Sequence, residues 1–182
     1  MFGIFCIRIF LAEKMTHFHF LYNRYPDVQY LYSFYQKYPV VTTDSRKTPP
    51  DSIFFALRGD NFNGNQFAEQ ALNNGCCCAV IDEEKFYKGD KYVLVKNVLS
   101  SLQELAKYHR AQLNIPVLCI TGSNGKTTTK ELMRCVLSKK YNTLATAGNL
   151  NNHIGVPLTL LSVTKDIQFA IVEIGANHVG EI

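Results

Sequence analysis

At 182 residues, with 47% hydrophobic and 19% charged residues, the chain has the apolar content for a packed core and is no disordered polymer. Its net charge of +4 is mild, and no run of Lys or Arg is dense enough to form a nucleic-acid-binding stripe. The six cysteines include no Cys-x-x-Cys pair, so a zinc site has no signature, and all six, the adjacent Cys76, Cys77 and Cys78 among them, read as reduced, mostly buried small hydrophobes.

In chain order, the apolar stretch near the N-terminus is about ten residues long, too short to span a bilayer. Arg8 interrupts it, and Leu-Ala-Glu-Lys-Met follows where a signal peptide would place a cleavage site. Met15 is therefore expected to be the native start, with residues 1–27 an N-terminal extension. From Ser52 onward strands and helices alternate. Ser52 to Leu57 is strand-like. Phe67, Ala68, Ala71 and Leu72 follow a helical spacing, and Gly75 stands beyond them as a stop. Between these, Gly59 to Gly64 is polar and hairpin-like. Cys77 to Ile81 and Tyr92 to Val95 predict buried strands. Ser101-Leu102-Gln103-Glu104 has the form of a capping box, opening a helix with Leu102, Leu105, Ala106 and Leu113 on one face, which Asn114 to Pro116 end.

After that break, Val117 to Ile120 predicts a buried strand. It runs into a loop with Gly122 and Gly125, then Lys126, Thr127 and a helical pattern. A strand feeding a glycine loop at a helix N-terminus is a phosphate cradle: backbone N–H groups and the helix dipole face the anion, and glycine lets the backbone approach it. Lys126 is placed to reach the β- and γ-phosphates, with the Thr127 hydroxyl on Mg²⁺. The usual P-loop spacing puts its first glycine where Ile120 stands here. Asn142 to Thr146 predicts another strand, Gly155-Val156-Pro157 the start of a short apolar helix, and Phe169 to Ile174 a strand carrying Glu173 at its end. Alternation of this kind means an α/β fold with a largely parallel sheet. The boundary falls near Asn114: residues 28–113 form a small α/β domain, and residues 114–182 begin a P-loop domain. Three strand candidates are few for such a domain, so the chain is expected to be the front part of a longer protein.

The segments ITGSNGKTTTKELM, TAGNLNNHIGVPLTLL and VEIGANHVGEI, in this order, together with TTDSR and FFALRGDNFNGNQF upstream, resemble the Mur ligases. Within that family they resemble the type that joins D-alanyl-D-alanine to a UDP-N-acetylmuramoyl tripeptide. The resemblance implies ATP and Mg²⁺ as cofactors, an acyl-phosphate intermediate, a cytoplasmic setting in peptidoglycan precursor synthesis, no membrane span, and a monomer in the full-length form. It implies ATP contacts from Gly122, Ser123, Asn124, Gly125, Lys126, Thr127 and Thr128, and metal ligation by Thr127 and Glu173, with Lys126 and Glu173 as the catalytic pair. Substrate contacts are implied for Ser45 and Arg46, on the UDP moiety, and for Asn149 and Asn152. Asn63 stands where the family often has Asp, and reads equally as a turn residue. His178 reads as a structural residue or a proton carrier. The family also implies a modified lysine, a further histidine and a closing domain, none within this sequence, so the chain alone is expected to be inactive. Two other ligases share the loop. The one adding the third amino acid shows Thr-Thr-Pro where Gly148 to Asn152 stand here, and a folate polyglutamating ligase would lack the TTDSR domain. A non-catalytic UDP-sugar or nucleotide-binding fragment is the reading from outside the enzyme class.

Overall fold

The structure is a computed structural model that describes residues 25–175. The expectations for Cys6, Met15, His178 and the final Gly180-Glu181-Ile182 lie outside the described residues.

The first helix, α1 (Val28–Lys37), is opened by Asp27, whose carboxylate accepts the Tyr30 N–H at 2.8 Å. The strands β1 (Val41–Thr42), β2 (Ile53–Phe55), β5 (Cys78–Ile81) and β6 (Tyr92–Leu94) form one parallel sheet in that order. Its central strands β2 and β5 are apolar throughout because both faces are covered. Ile53, Phe55, Cys78, Val80 and Val93 face α1 and α3 (Val98–Gln112), whereas Phe54, Ala79, Ile81 and Tyr92 face α2 (Ala68–Asn73). The polar run after β2 is a hairpin, β3 (Arg58–Gly59) with β4 (Phe62–Asn63). Asn63 there has a structural task. Its Oδ1 accepts the Asn65 N–H at 3.0 Å to cap a 3-10 turn, and its Nδ2 donates to Glu83 at 2.7 Å.

The helix α3 starts earlier than the capping box suggests. Asn97 is its N-cap, accepting the Ser100 N–H at 2.8 Å, and Ser101 lies inside the first turn. The earlier start brings Val98 onto the buried face with Leu102, Leu105, Ala106 and His109, and burial of Val98 outweighs the alternative box. Leu113, expected on that face, lies past the helix end and is only half-buried.

The second sheet is β7 (Val117–Ile120), β9 (Phe169–Glu173) and β8 (Thr143–Ala145), parallel in that order, so β9 is central. The helix α4 (Lys126–Leu137) crosses between β7 and β8, and α5 (Gly155–Leu161) returns the chain toward β9. Pro157 is the third residue of α5. Val117 to Ile120 is not the buried strand its composition predicts: β7 is an edge, and its residues are half-buried apart from an exposed Cys119. Cys135, Leu132 and Val136 on α4 are exposed as well. Burial of the cysteines therefore holds for Cys76 and Cys78, whose neighbours lie in the first sheet's core, and fails for Cys119 and Cys135, which no described element covers.

The two sheets meet through helices. The helix α3 packs against α1 on one side and α5 on the other. Tyr35 of α1 donates to the Leu161 carbonyl at 2.6 Å, and the His109 Nε2 lies 3.0 Å from the Val163 carbonyl, to which it donates.

Candidate functional site

The loop between β7 and α4 carries the phosphate cradle. Gly125 is the residue before the helix, at φ +75°, and Gly122 sits at φ +142°. Both values favour glycine. Among the described residues no side chain caps the α4 N-terminus, so its first N–H groups are left for a ligand or water. Residues 121–125, with Thr127 and Thr128, are exposed, and Lys126 is half-buried with its ammonium donating to the Gly122 carbonyl at 2.6 Å. In this position Lys126 closes the loop on itself.

The register of the second sheet sets Ile120 opposite Glu173. The loop and the acid therefore leave the same, C-terminal, edge of adjacent parallel strands, where open α/β sheets hold their ligands. Thr127 Oγ1 donates to Glu173 Oε1 at 3.1 Å, and Asn151 Nδ2 donates to the same oxygen at 2.9 Å. Glu173 is 1% exposed, and its Oε2 has no hydrogen-bond partner among the described residues. Burial alone would raise the Glu173 pKa. The hydrogen bonds from Asn151 and Thr127 and the charge of Lys130 outweigh it and hold the carboxylate below its ordinary value.

A buried, ionised carboxylate with one oxygen that accepts no hydrogen bond, beside a threonine hydroxyl, is a donor set that suits a hard divalent cation. Mg²⁺ takes few protein ligands and completes its shell with phosphate and water. No group of three or more His, Cys, Asp or Glu side chains is gathered among the described residues.

The asparagine-rich loop is held close by backbone. Gly155 follows it at a close approach: a Cβ there would lie 2.5 Å from the Leu150 Cα, so only glycine lets α5 begin here. The Gly175 N–H donates to the Asn151 carbonyl at 2.7 Å. Of the two asparagines expected to contact substrate, Asn152 is engaged in structure, its Oδ1 accepting the Ile154 and Gly155 N–H groups at 3.1 and 2.8 Å. Asn149 is exposed, and its carbonyl accepts the Asn151 N–H. The asparagine in contact with the acid is Asn151, not Asn149 or Asn152; three asparagines within four positions give the sequence no means of ranking them. A cleft of about 370 Å³ opens beside this loop, lined by Gln103 of α3, Asn151, Asn152, His153, Val156, Pro157, Ile174 and Gly175.

Ser45 and Arg46 are placed elsewhere, after β1 at the C-terminal edge of the first sheet. Arg46 is exposed and grips Asp44 with two bonds of 2.9 and 3.0 Å, and its guanidinium holds the Asp44 carboxyl at a pKa of about 2. Ser45 is buried, and its carbonyl accepts from Asn74 at 3.0 Å. Among the described residues neither is hydrogen-bonded to the phosphate loop.

Two family models match this chain: residues 37–118 match "Mur ligase family, catalytic domain", and residues 120–181 match "Mur ligase middle domain". The chain belongs to the Mur ligase family. Among its relatives, the UDP-N-acetylmuramoyl-tripeptide–D-alanyl-D-alanine ligase of Escherichia coli K12 is 44% identical over 142 residues, 78% of this chain and 31% of the relative. The enzyme of the same name from Bacillus subtilis 168 is 40% identical over 144 residues, 78% of this chain and 32% of the relative. A crystal structure of MurF from Acinetobacter baumannii superimposes with a TM-score of 0.70 at 39% identity, covering 77% of this chain and 31% of that one. MurF from Thermotoga maritima in complex with ADP does so with a TM-score of 0.70 at 30% identity, over 79% and 33%. This Mur ligase chain thus spans about a third of the length of the curated relatives it matches, and the α/β architecture with parallel sheets is the one they share.

Proposed function

We propose that this chain carries the UDP-substrate-binding and phosphate-binding parts of an ATP-dependent amide ligase, the one that joins D-alanyl-D-alanine to UDP-N-acetylmuramoyl-tripeptide in the cytoplasm. Residues 28–113 form the unit that holds the UDP moiety, through Ser45 and Arg46, and residues 114–182 the unit that holds ATP. The observation that carries this reading is the meeting of Thr127 and Glu173 beside the glycine loop, with Glu173 Oε2 accepting no hydrogen bond among the described residues and paired by charge with Lys130 at 3.4 Å. The names of the relatives supply the substrates.

The reaction needs two displacements. An acceptor carboxylate oxygen bonds to the γ-phosphorus of ATP while the bond to the bridging oxygen breaks, and ADP departs with the electron pair. The amine of D-alanyl-D-alanine then bonds to the acyl carbon, phosphate leaves, and the amine gives up a proton. The first displacement brings one anion against another, so positive charge and N–H donors must surround the transferring group. Lys126 supplies a cation and the α4 N-terminus supplies amides. Thr127 and Glu173 are the residues to hold Mg²⁺, which when bound neutralises phosphate charge. The cleft lined by Asn151 and by Ile174, the residue after Glu173, is where the acceptor would be held.

Isothermal titration of the chain tests both halves. ADP is expected to bind more tightly with Mg²⁺ than with EDTA, and UDP-N-acetylmuramoyl-tripeptide is expected to bind without nucleotide. Absence of any ADP heat, together with unmoved amide resonances over residues 121–128, overturns the nucleotide reading.

A further inference from the structure

Lys130 has no part in the chemistry above, yet it is among the largest fully buried side chains of the molecule. It lies one helical turn beyond Lys126 on α4. Its ammonium donates to the Gly148 carbonyl at 3.1 Å and sits 3.4 Å from both Glu173 Oε2 and Glu131 Oε1. Glu131 is half-exposed and already taken by Arg134 at 2.8 Å, so Glu173 is the partner that shares the interior with Lys130.

We propose that Lys130 is a positioning residue that orients the Glu173 carboxylate and the 147–152 loop for a phosphate-bound divalent cation, a role that rests on the nucleotide reading above. Lys130 reaches Glu173 by two routes. Directly, its charge lies beside Oε2 without a hydrogen bond, so this oxygen is held in place but not consumed. Indirectly, it anchors the Gly148 carbonyl, in a loop whose Asn151 donates to Oε1. The helix that carries the phosphate loop, the loop that carries Asn151 and the strand that carries Glu173 thus converge on one ammonium. For stability alone, apolar side chains in place of both Lys130 and Glu173 would often serve as well as the buried ion pair. Residues that orient a metal ligand typically change metal affinity by about tenfold or more when removed.

The proposal has a sign that separates it from its simplest rival. If Lys130 merely competed with the cation for Glu173, removing it would strengthen cation binding. If it positions the carboxylate, removing it weakens cation binding. The two lysines of α4 should also divide their effects, Lys126 acting on nucleotide affinity with or without metal, and Lys130 only on the increment that metal brings.

The experiment is calorimetric titration of ADP into the wild-type chain, Lys126→Ala and Lys130→Met, each with Mg²⁺ and with EDTA, after circular dichroism has established folding. For Lys130→Met the ADP affinity in EDTA is expected to stay within about twofold of wild type, and the Mg²⁺-dependent gain to fall about tenfold. A gain that is unchanged or larger overturns the proposal. A wild-type chain that binds ADP with no Mg²⁺-dependent gain, or not at all, overturns the nucleotide and metal reading itself. Should Lys130→Met fail to fold, Lys130→Gln, whose amide still donates to Gly148, gives the same reading, with the gain falling by a smaller factor and any increase again counting against the role.

Discussion

Thr127 and Glu173, 46 positions apart in the chain, meet across a 3.1 Å hydrogen bond at the C-terminal edge of the second sheet. The contact is a consequence of topology. The strands β7 and β9 are neighbours with Ile120 opposite Glu173, so whatever follows β7 lies beside whatever ends β9. A phosphate loop after one and a carboxylate on the other then make one site.

Glu173→Gln is expected to remove most of the Mg²⁺-dependent gain in ADP affinity while leaving binding in EDTA close to wild type. Glutamine keeps the size and can still accept from Thr127, but it lacks the charge a hard cation needs. It also leaves Lys130 buried beside a neutral group. Breaking a buried pair by removing one partner costs about 3 kcal/mol or more, so a clear fall in the thermal midpoint is expected alongside. A variant with wild-type stability and an unchanged metal response would make Glu173 an ordinary strand-end residue.

Lys126→Ala is expected to behave differently. Among the described residues its ammonium bonds only the Gly122 carbonyl, on an exposed loop, so stability should change by less than about 1 kcal/mol. ADP affinity should fall with and without Mg²⁺, and turnover in a form able to complete the reaction should fall by roughly a hundredfold or more. Thermal melts and titrations on the same sample check both statements.

Arg46→Ala is expected to weaken binding of UDP-N-acetylmuramic acid without unfolding the first sheet, because Arg46 is exposed and, among the described residues, its side-chain bonds run to Asp44 alone. The loss of the guanidinium should also raise the Asp44 pKa from about 2 toward the usual carboxylate range. A titration followed by NMR at Asp44 reports the second effect even if the first is absent, in which case Arg46 serves the loop and not the ligand.

Much of this was legible in the sequence because it rests on short-range patterns. The loop from Gly122 to Thr127 and the acid at the end of an apolar run need only spacing to be seen. The helix α1 is not legible because Val-Gln-Tyr-Leu-Tyr-Ser-Phe-Tyr is rich in residues that favour strands, and its helical state comes from the Asp27 cap and from burial of Leu31 and Tyr35. Asn97 was passed over as a cap because Ser101 and Glu104 match a familiar box, and the burial of Val98 that decides the matter is tertiary. Lys126 and Lys130 stand four apart on one helix face, which is visible, but nothing local says that the second is buried and the first is not. Choosing Asn151 over Asn149 and Asn152 required the turn that aims it at Glu173.

His109 gives a pH dependence with a definite sign. It is buried on α3 between Tyr32 and Tyr35 of α1, with its Nδ1 3.3 Å from the Tyr32 hydroxyl and its Nε2 donating to the Val163 carbonyl at 3.0 Å. Burial pushes its pKa below the ordinary 6.5, and the bond to Val163 only partly offsets this. The folded chain therefore holds His109 neutral at pH values where the unfolded chain has begun to protonate it. Stability is full above about pH 6.5 and declines as pH falls through that value toward the lower folded pKa, levelling once both states are charged. Because His109 ties α3 and α1 to the segment after α5, the loss falls on the junction between the two sheets. Urea titrations at pH 7.5 and pH 5.5 are expected to show a lower midpoint at the acid pH, and His109→Gln, which keeps a donor for Val163 without titrating, should narrow the difference. An equal difference in the variant would assign the acid sensitivity to other groups.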